Sequence, residues 1–177
     1  MSQPQGDAVA LAKPGAIPPY TDLMPIVQLR NLCASDLPVL FSHEADPEAN
    51  RMAAVVPREL AAFNEHWRKI LDDPEVFARA ILVDGHLAGY INCFKANGQN
   101  MIGYWIGQQY WGRGVATRSL ELLLRLMTSR PLHARVATHN KASIRVLEKC
   151  GFTILGHERS PATGRLLECD EAILILR

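Results

Sequence analysis

Apolar and polar residues alternate along several stretches of this chain, and each of these stretches predicts a β-strand. Residues 25–32 (PIVQLRNL) have this period of two and predict the first strand. Two further runs flank Asp84-Gly85, a pair that favours a two-residue hairpin turn, and Asn97-Gly98 predicts a second turn. The remaining runs predict strands over residues 99–107, 131–138, 152–159 and 166–176.

Apolar residues at helical spacing lie between these strands. One helical segment begins at Ser35-Asp36 and is interrupted near Asp46-Pro47, and a second begins at Pro57. A third follows Gly114, and a fourth spans residues 140–150 and ends before a glycine. The apolar stripes are Leu60, Phe63, Trp67, Ile70 and Leu71 in the second segment, and Ala116, Leu120, Leu123, Leu124 and Met127 in the third.

The order of these elements predicts a mixed α/β sandwich built on one sheet. A length of 177 residues suits one domain with a sizeable core. We expect the domain to occupy residues 25–177, because residues 1–24 contain several prolines among small residues and predict a flexible N-terminal arm.

Composition and charge exclude several classes of function. A formal net charge of +1 argues against a nucleic-acid partner held by a broad basic face. No apolar run approaches the roughly 20 residues of a membrane span, and the first residues do not resemble a secretory signal. Cys33, Cys93, Cys150 and Cys169 stand far apart, which predicts reduced, mostly buried thiols in a cytoplasmic protein and no metal site.

A glycine-rich loop, QQYWGRGVAT (residues 108–117), comes directly before the third helical segment. Gly112 and Gly114 allow a ligand to approach the backbone closely, and the first N–H groups of a helix have no partner within it. A pyrophosphate would satisfy those groups, and Arg113 adds a positive charge. The alternative is a tight strand-to-helix turn without a ligand. A dinucleotide-binding loop would need a third glycine, and a P-loop would need GK followed by Ser or Thr.

Two motifs in the second half of the chain resemble the GNAT N-acetyltransferase superfamily. The first is GYWIGQQYWGRGVAT, in which Gln109, Gly112 and Gly114 match the acetyl-CoA loop Q/R-x-x-G-x-G/A. The second is HNKASIRVLEKCGF, in which Asn140 and Ser143 match N-x-x-S before VLEKxGF. Within the superfamily, the chain is most similar to the ribosomal-protein N-terminal acetyltransferases.

The resemblance implies a single domain with a mostly antiparallel sheet of six to seven strands, about four helices and a V-shaped cofactor slot. It implies that acetyl-CoA is the cosubstrate and that an amine attacks it directly, without an acyl-enzyme. It also implies that the backbone N–H near Ile106 stabilises the oxyanion. The residues implied to bind the cofactor are Tyr104, Trp105, Ile106, Gln109, Trp111, Gly112, Arg113, Gly114, Val115, Ala116, Thr117, Asn140 and Ser143.

The resemblance leaves the proton transfers less well defined. Many relatives place a tyrosine as the acid where this chain has Leu147, so Ser143 is the candidate acid here. Alternatively, the Ser143 hydroxyl bonds back to its own helix and Asn140 is a helix cap. The two roles of Asn140 are compatible, because capping would position its side chain beside the cofactor. Cys150 is expected to be core filler rather than a nucleophile. The candidates for the general base are Glu168, Asp170, Glu171 and His139 or a water chain.

The region expected to contact the acceptor amine, roughly residues 35–67, carries no readable motif. The resemblance favours a protein N-terminus slightly over a small-molecule amine. A non-catalytic acyl-CoA-binding module and an interaction domain with a vestigial loop are the alternatives to an enzyme. A homodimer is compatible with the sequence, which does not define it.

Overall fold

A computed structural model describes residues 24–177 of the chain. The predicted arm at residues 1–24 lies outside the described residues, apart from Met24. The strands are β1 (Val27–Asn31), β2 (Phe77–Val83), β3 (His86–Ala96), β4 (Gln99–Ile106), β5 (Leu132–Ala137), β6 (Thr153–Ser160) and β7 (Cys169–Leu176). The helices are α1 (Leu37–Glu44), α2 (Pro47–Ala53), α3 (Leu60–Asp72), α4 (Val115–Leu126) and α5 (Lys141–Lys149).

The strands form one seven-stranded mixed sheet in the order β1-β2-β3-β4-β5-β7-β6. Every neighbouring pair is antiparallel except β4 and β5, which run parallel. The predicted fold class is therefore confirmed. The described residues form five α-helices rather than about four, because Asp46 accepts a hydrogen bond from Ala49 N–H and caps α2 as a separate helix.

The two predicted hairpin turns are present. Asp84 and Gly85 have φ angles of 51° and 82°, and Asn97 and Gly98 have φ angles of 52° and 76°. Positive φ at both central residues is the requirement of the tight turn that joins two antiparallel strands. These turns fix the register of β2, β3 and β4, and therefore the position of β4 in the middle of the sheet.

The parallel pair β4 and β5 separates soon after it forms. Only Asn100 with Leu132 and Met101 with His133 are paired, although both strands continue well beyond these residues. The sheet therefore opens into a V-shaped gap between the C-terminal halves of β4 and β5. This gap is the slot that the family resemblance implies.

Helices cover both faces of the sheet. On one face, Leu120 and Leu123 of α4 and Leu147 of α5 are buried in the main core. On the other face, Phe63 and Trp67 of α3 are fully buried in a smaller core with Leu32, Leu40 and Ala80. An aromatic chain, Phe41–Phe63–Trp67–Tyr90, with ring centroids 4.6–6.2 Å apart, runs through this smaller core to the sheet.

Two details of the predicted helix α3 are wrong. The helix begins at Leu60 rather than Pro57, because Val56 is held extended by its N–H bond to Arg165 O. Leu60 and Leu71 are exposed because the smaller core meets only the middle turns of α3.

The prediction for the cysteines is partly confirmed. All four thiols are free. Cys93 is buried and Cys150 and Cys169 are half-buried, whereas Cys33 is exposed, against the expectation of mostly buried thiols. Among the described residues, no helix is both long and apolar enough to cross a membrane, and no cluster of His, Cys, Asp and Glu side chains is suited to a metal ion.

Candidate active site

A cavity of about 360 Å³ occupies the gap between β4 and β5 and extends to both faces of the sheet. On one face it reaches α4 and α5, and on the other it reaches Ala49, Met52 and Ala53 of α2. All of the residues predicted to bind the cofactor line it, except Gln109 and Arg113. Two reactants could therefore enter from opposite faces and meet within the sheet.

The glycine loop forms one wall of the cavity at the N-terminus of α4. Gly112 and Gly114 have φ angles of 72° and 74°, a backbone conformation that disfavours any side chain. A Cβ built on either glycine would have no described atom within 4 Å, so the space in front of the loop is open. Gly114 is the N-cap residue, and the N–H groups that follow it need a partner from outside the helix. The loop therefore has the geometry of an anion site.

The loop is fixed to the end of β4 by hydrogen bonds. Trp111 Nε1–H donates to Ile106 O over 2.7 Å, and Tyr110 N–H donates to Gly107 O over 2.9 Å. The two predicted residues that do not line the cavity point elsewhere. Gln109 Nε2 lies 3.2 Å from His43 Nε2, and an Arg113 guanidinium nitrogen lies 4.0 Å from a carboxylate oxygen of Asp84.

Backbone groups of β4 face the gap. Gly107 N–H donates to Ala88 O over 2.8 Å, so the polar groups of Gly107 point toward β3. Backbone groups alternate between the two edges of an antiparallel strand. The N–H groups of Tyr104 and Ile106 therefore point toward the edge from which β5 has diverged. They are available to a ligand lying along β4.

The candidate acid Ser143 lies across the gap from β4. Its N–H donates to Asn140 Oδ1 over 3.0 Å, so Asn140 does cap α5. Its Oγ lies 2.7 Å from the hydroxyl oxygen of Tyr104 and has no other hydrogen-bond partner among the described residues. Burial raises the pKa of Tyr104 to about 12, so its hydroxyl stays protonated at neutral pH. The Ser143 hydroxyl is thus bonded to β4 rather than to its own helix.

Two basic residues of the cavity were not identified from the sequence. Arg145 and Lys149 are four residues apart on α5 and both line the cavity. This spacing places them on one face of the helix, and it is the signal that could have identified them. They give the α5 side of the cavity a positive charge.

The candidate bases are occupied elsewhere. Glu168 and Asp170 accept hydrogen bonds from Arg159, and Glu171 accepts one from Arg135. His139 Nε2 lies 2.9 Å from Arg51 O. None of these four lines the cavity.

A buried charge cluster lies on the α1 side of the sheet and was also missed. Glu44 is 2% exposed, and its Oε2 accepts hydrogen bonds from Arg58 over 3.0 Å and Arg165 over 3.1 Å. The Arg165 guanidinium carbon lies 5.8 Å from the ring centroid of Trp105, which lines the cavity. Arg165 also donates to Asn50 Oδ1 of α2. The cluster joins residues that are far apart in sequence, so no local motif predicts it.

The half-buried Cys150 does not line the cavity and lacks the lowered pKa of an activated thiol. Burial raises the pKa of its thiol to about 11, and Sγ lies 3.7 Å from Thr117 O. A thiol with this pKa is almost entirely protonated at neutral pH.

Comparisons with known proteins agree with this geometry. The chain is 24% identical over 155 residues to an uncharacterized N-acetyltransferase of Bacillus licheniformis. The aligned region covers 79% of this chain and 87% of the relative. Its fold is similar to the crystal structure of spermidine N-acetyltransferase from Vibrio cholerae in complex with CoA and spermine, with a TM-score of 0.73, 18% identity and coverage of 85% and 94% of the two chains.

A second solved structure has the same fold. It is a microcin self-immunity acetyltransferase in complex with acetyl-CoA and AMP, with a TM-score of 0.70 and 17% identity, covering 85% of this chain and 91% of that one. In addition, the family model described as the acetyltransferase (GNAT) domain matches residues 27–153. This match spans most of the sequence, and the chain therefore belongs to the GNAT acetyltransferase family.

Proposed function

We propose that this protein transfers an acetyl group from acetyl-CoA to a primary amine by direct attack of the amine on the thioester. One observation carries the proposal. A single cavity in the β4–β5 gap joins the glycine loop, the N-terminus of α4 and Ser143 on one face to α2 on the other. An anionic cofactor and an amine would each have their own entrance to it.

The cofactor would lie along β4 with its pyrophosphate at the glycine loop. The N–H groups at the start of α4 and those of the loop would donate to the pyrophosphate oxygens. Arg145 and Lys149 line the same cavity and would attract the remaining phosphate. The amide groups of the pantetheine arm would bond to the backbone of β4, where the N–H of Tyr104 faces the gap.

In the reaction, the amine nitrogen bonds to the thioester carbon and the carbon–sulfur bond breaks. The N–H of Ile106 is the proposed donor to the oxygen on which negative charge develops. Ser143 would donate a hydrogen bond to the departing thiolate, which gains a proton as the amine loses one. A water chain is the proposed base for the first proton, which the ammonium group loses before attack, since the four candidate side chains do not line the cavity.

We propose a protein N-terminus as the acceptor, in line with the resemblance to ribosomal-protein N-terminal acetyltransferases. An α-amino group has a pKa of about 7.7–8.0, so a useful fraction is unprotonated at neutral pH without a strong base. Small-molecule amines are the competing acceptors, and the similar Vibrio cholerae enzyme is a spermidine N-acetyltransferase. We further propose that the protein acts in the cytoplasm.

The first test is thermal unfolding of the purified protein with acetyl-CoA, CoA and NAD in parallel. A ligand at about 100 times its dissociation constant adds about 2.7 kcal/mol, which raises the midpoint by about 5–10 °C for a domain of this size. We expect a rise with acetyl-CoA and CoA and none with NAD. Absence of any rise would refute the cofactor site.

The second test is CoA release with a panel of N-terminal peptides, amino acids and polyamines. Turnover of peptides with free N-termini, blocked by prior acetylation, would support the proposed acceptor. Turnover of polyamines alone would replace it with a small-molecule acceptor. Binding of acetyl-CoA without turnover of any amine would favour a non-catalytic acyl-CoA-binding module.

A further inference from the structure

Two hydroxyl groups meet across the β4–β5 gap, one from each side. Tyr104 is the residue of β4 between Ile102 and Ile106, and all three side chains point to the α4–α5 face. Its hydroxyl oxygen lies 2.7 Å from Ser143 Oγ and 3.3 Å from Ser143 O. Both Tyr104 and Ser143 line the cavity.

The hydrogen positions in this pair allow two arrangements. A hydroxyl has one proton to donate and two lone pairs to accept with. If Ser143 donates to Tyr104, then Tyr104 donates to the more distant carbonyl and no proton faces the cavity. If Tyr104 donates to Ser143 Oγ, the Ser143 proton is free to point into the cavity. Both arrangements use the 2.7 Å contact, and only the second leaves a hydroxyl proton for a ligand in the cavity.

We infer that Tyr104 is a positioning residue that directs the Ser143 hydroxyl proton toward the sulfur atom of CoA. This inference rests on the proposed function, because it gives Ser143 a partner in stabilising the thiolate. Asn140 completes the arrangement by fixing the backbone of Ser143 through its N–H. The serine is thereby held at two points, one on α5 and one on β4.

Tyr104 does not supply the proton itself. Burial raises the pKa of its phenol to about 12, whereas a free thiol has a pKa of about 8.5. Net transfer of the phenol proton to the thiolate is therefore strongly unfavourable. The proton that reaches sulfur comes from the attacking nitrogen, which passes one proton to Ser143 Oγ as Ser143 passes its own to sulfur. Tyr104 keeps its proton and its hydrogen bond throughout.

The test is a titration of the CoA thiol in the complex with this protein, which needs no knowledge of the acceptor. Thiolate absorbance in the ultraviolet is followed from about pH 6 to 10, a range centred near the ordinary pKa of a thiol. We expect the bound thiol of the wild type to have a pKa below the free value. Tyr104→Phe and Ser143→Ala should each weaken thiol ionisation by about tenfold, the effect of one hydrogen bond to a charged group.

The double variant separates positioning from independent action. If Tyr104 acts only through Ser143, Tyr104→Phe should have no further effect in the Ser143→Ala background. Tyr90→Phe is the matched control, because Tyr90 is also a strand tyrosine but packs on Trp67 in the smaller core. It should leave the thiol titration unchanged.

The outcomes distinguish this inference from the proposed function. If CoA binds and Ser143→Ala changes the titration but Tyr104→Phe does not, the positioning role is refuted and the proposed function stands. If CoA does not bind, or Ser143→Ala has no effect, the role proposed for Ser143 is refuted as well. Should Tyr104→Phe not fold, 3-fluorotyrosine at this position keeps the ring and hydroxyl. As a more acidic donor it should strengthen thiol ionisation, and an unchanged titration would refute the inference.

Discussion

The two faces of the sheet present different kinds of surface to the cavity. On the α4–α5 face, the helical part of the cavity wall comes from two short segments, the glycine loop with the start of α4 and one face of α5. On the α1–α2 face, the wall is supported by Glu44, Arg58 and Arg165. The two arginines lie 14 and 121 residues after Glu44 in the sequence. One face is built from local backbone conformation, and the other from long-range charge contacts.

This difference separates the proposed cofactor side from the proposed acceptor side. A phosphate-binding loop needs glycines next to a helix N-terminus, so a short run of neighbouring residues is enough to identify it. A pocket for one particular amine can be assembled from any elements that meet in space. The first kind of site is shared across a family, whereas the second can differ between members with the same fold.

The glycine loop should be the most sensitive part of the cofactor side. We expect Gly114→Val to abolish acetyl-CoA binding, by more than about 100-fold, because a β-branched residue strains the left-handed N-cap and covers the approach to the backbone. The measurement is the thermal shift with acetyl-CoA. Gly98→Val is the matched control, since Gly98 also has positive φ and open space but lies in the β3–β4 turn. Equal loss of binding in both variants would contradict the assignment.

The charge cluster should dominate the stability of the opposite face. Glu44→Gln leaves the Arg58 and Arg165 guanidinium groups facing each other without a counter-charge, at a cost of about 3 kcal/mol in the free energy of unfolding. A drop of about 9 °C in the unfolding midpoint would follow. Glu48→Gln, at an exposed pair with Arg51, should have no measurable effect. If the folded Glu44→Gln protein lost acetyl-CoA binding, the two faces would not be separable.

The same cluster predicts a pH dependence. Burial, followed by the charges of Arg58 and Arg165, lowers the pKa of His66 to about 4 from 6.5. Between these values the unfolded chain binds more protons than the folded one, so stability falls as the pH drops from 6.5 to 4. Because His66 is only half-buried, solvent screens much of this contribution. In His66→Gln, which lacks it, the fall of the unfolding midpoint over the same interval should therefore be smaller by about 3 °C. Parallel curves for the two proteins would contradict this prediction.

The smallest effect is expected at the candidate base Glu168. Its carboxylate is 58% exposed and paired with the exposed Arg159. Glu168→Gln should therefore change the rate of CoA release by no more than about twofold, whereas loss of a general base costs about 10²–10⁴-fold. A large loss of turnover would restore Glu168 as the base and place the acceptor near the β6–β7 loop.

Local signals predicted the fold well. Asp84-Gly85 and Asn97-Gly98 require positive φ, and that requirement determined two hairpins and the position of β4. The exceptions are long-range. Nothing near Pro57 indicates that Val56 will bond to Arg165 O and delay the start of α3.

The candidate site follows the same rule. The glycines, Asn140 and Ser143 could be identified because each belongs to a short motif. The Tyr104 partner of Ser143 could not, since the two are 39 residues apart and meet only through the divergence of β4 from β5. The spacing of residues within a helix or strand carries no information about a contact between two distant elements.

The two-pair ladder between β4 and β5 has a mechanical consequence. It divides the sheet into two parts, β1–β4 and β5–β7, which are joined only by the two residue pairs between β4 and β5. A pantetheine arm bonded along β4 would act as a missing strand and brace the two halves against each other. The amide protons bordering the gap would then exchange slowly with solvent only while cofactor is present. In such a molecule, the supply of acetyl-CoA would set the stiffness of the protein as well as its rate of turnover.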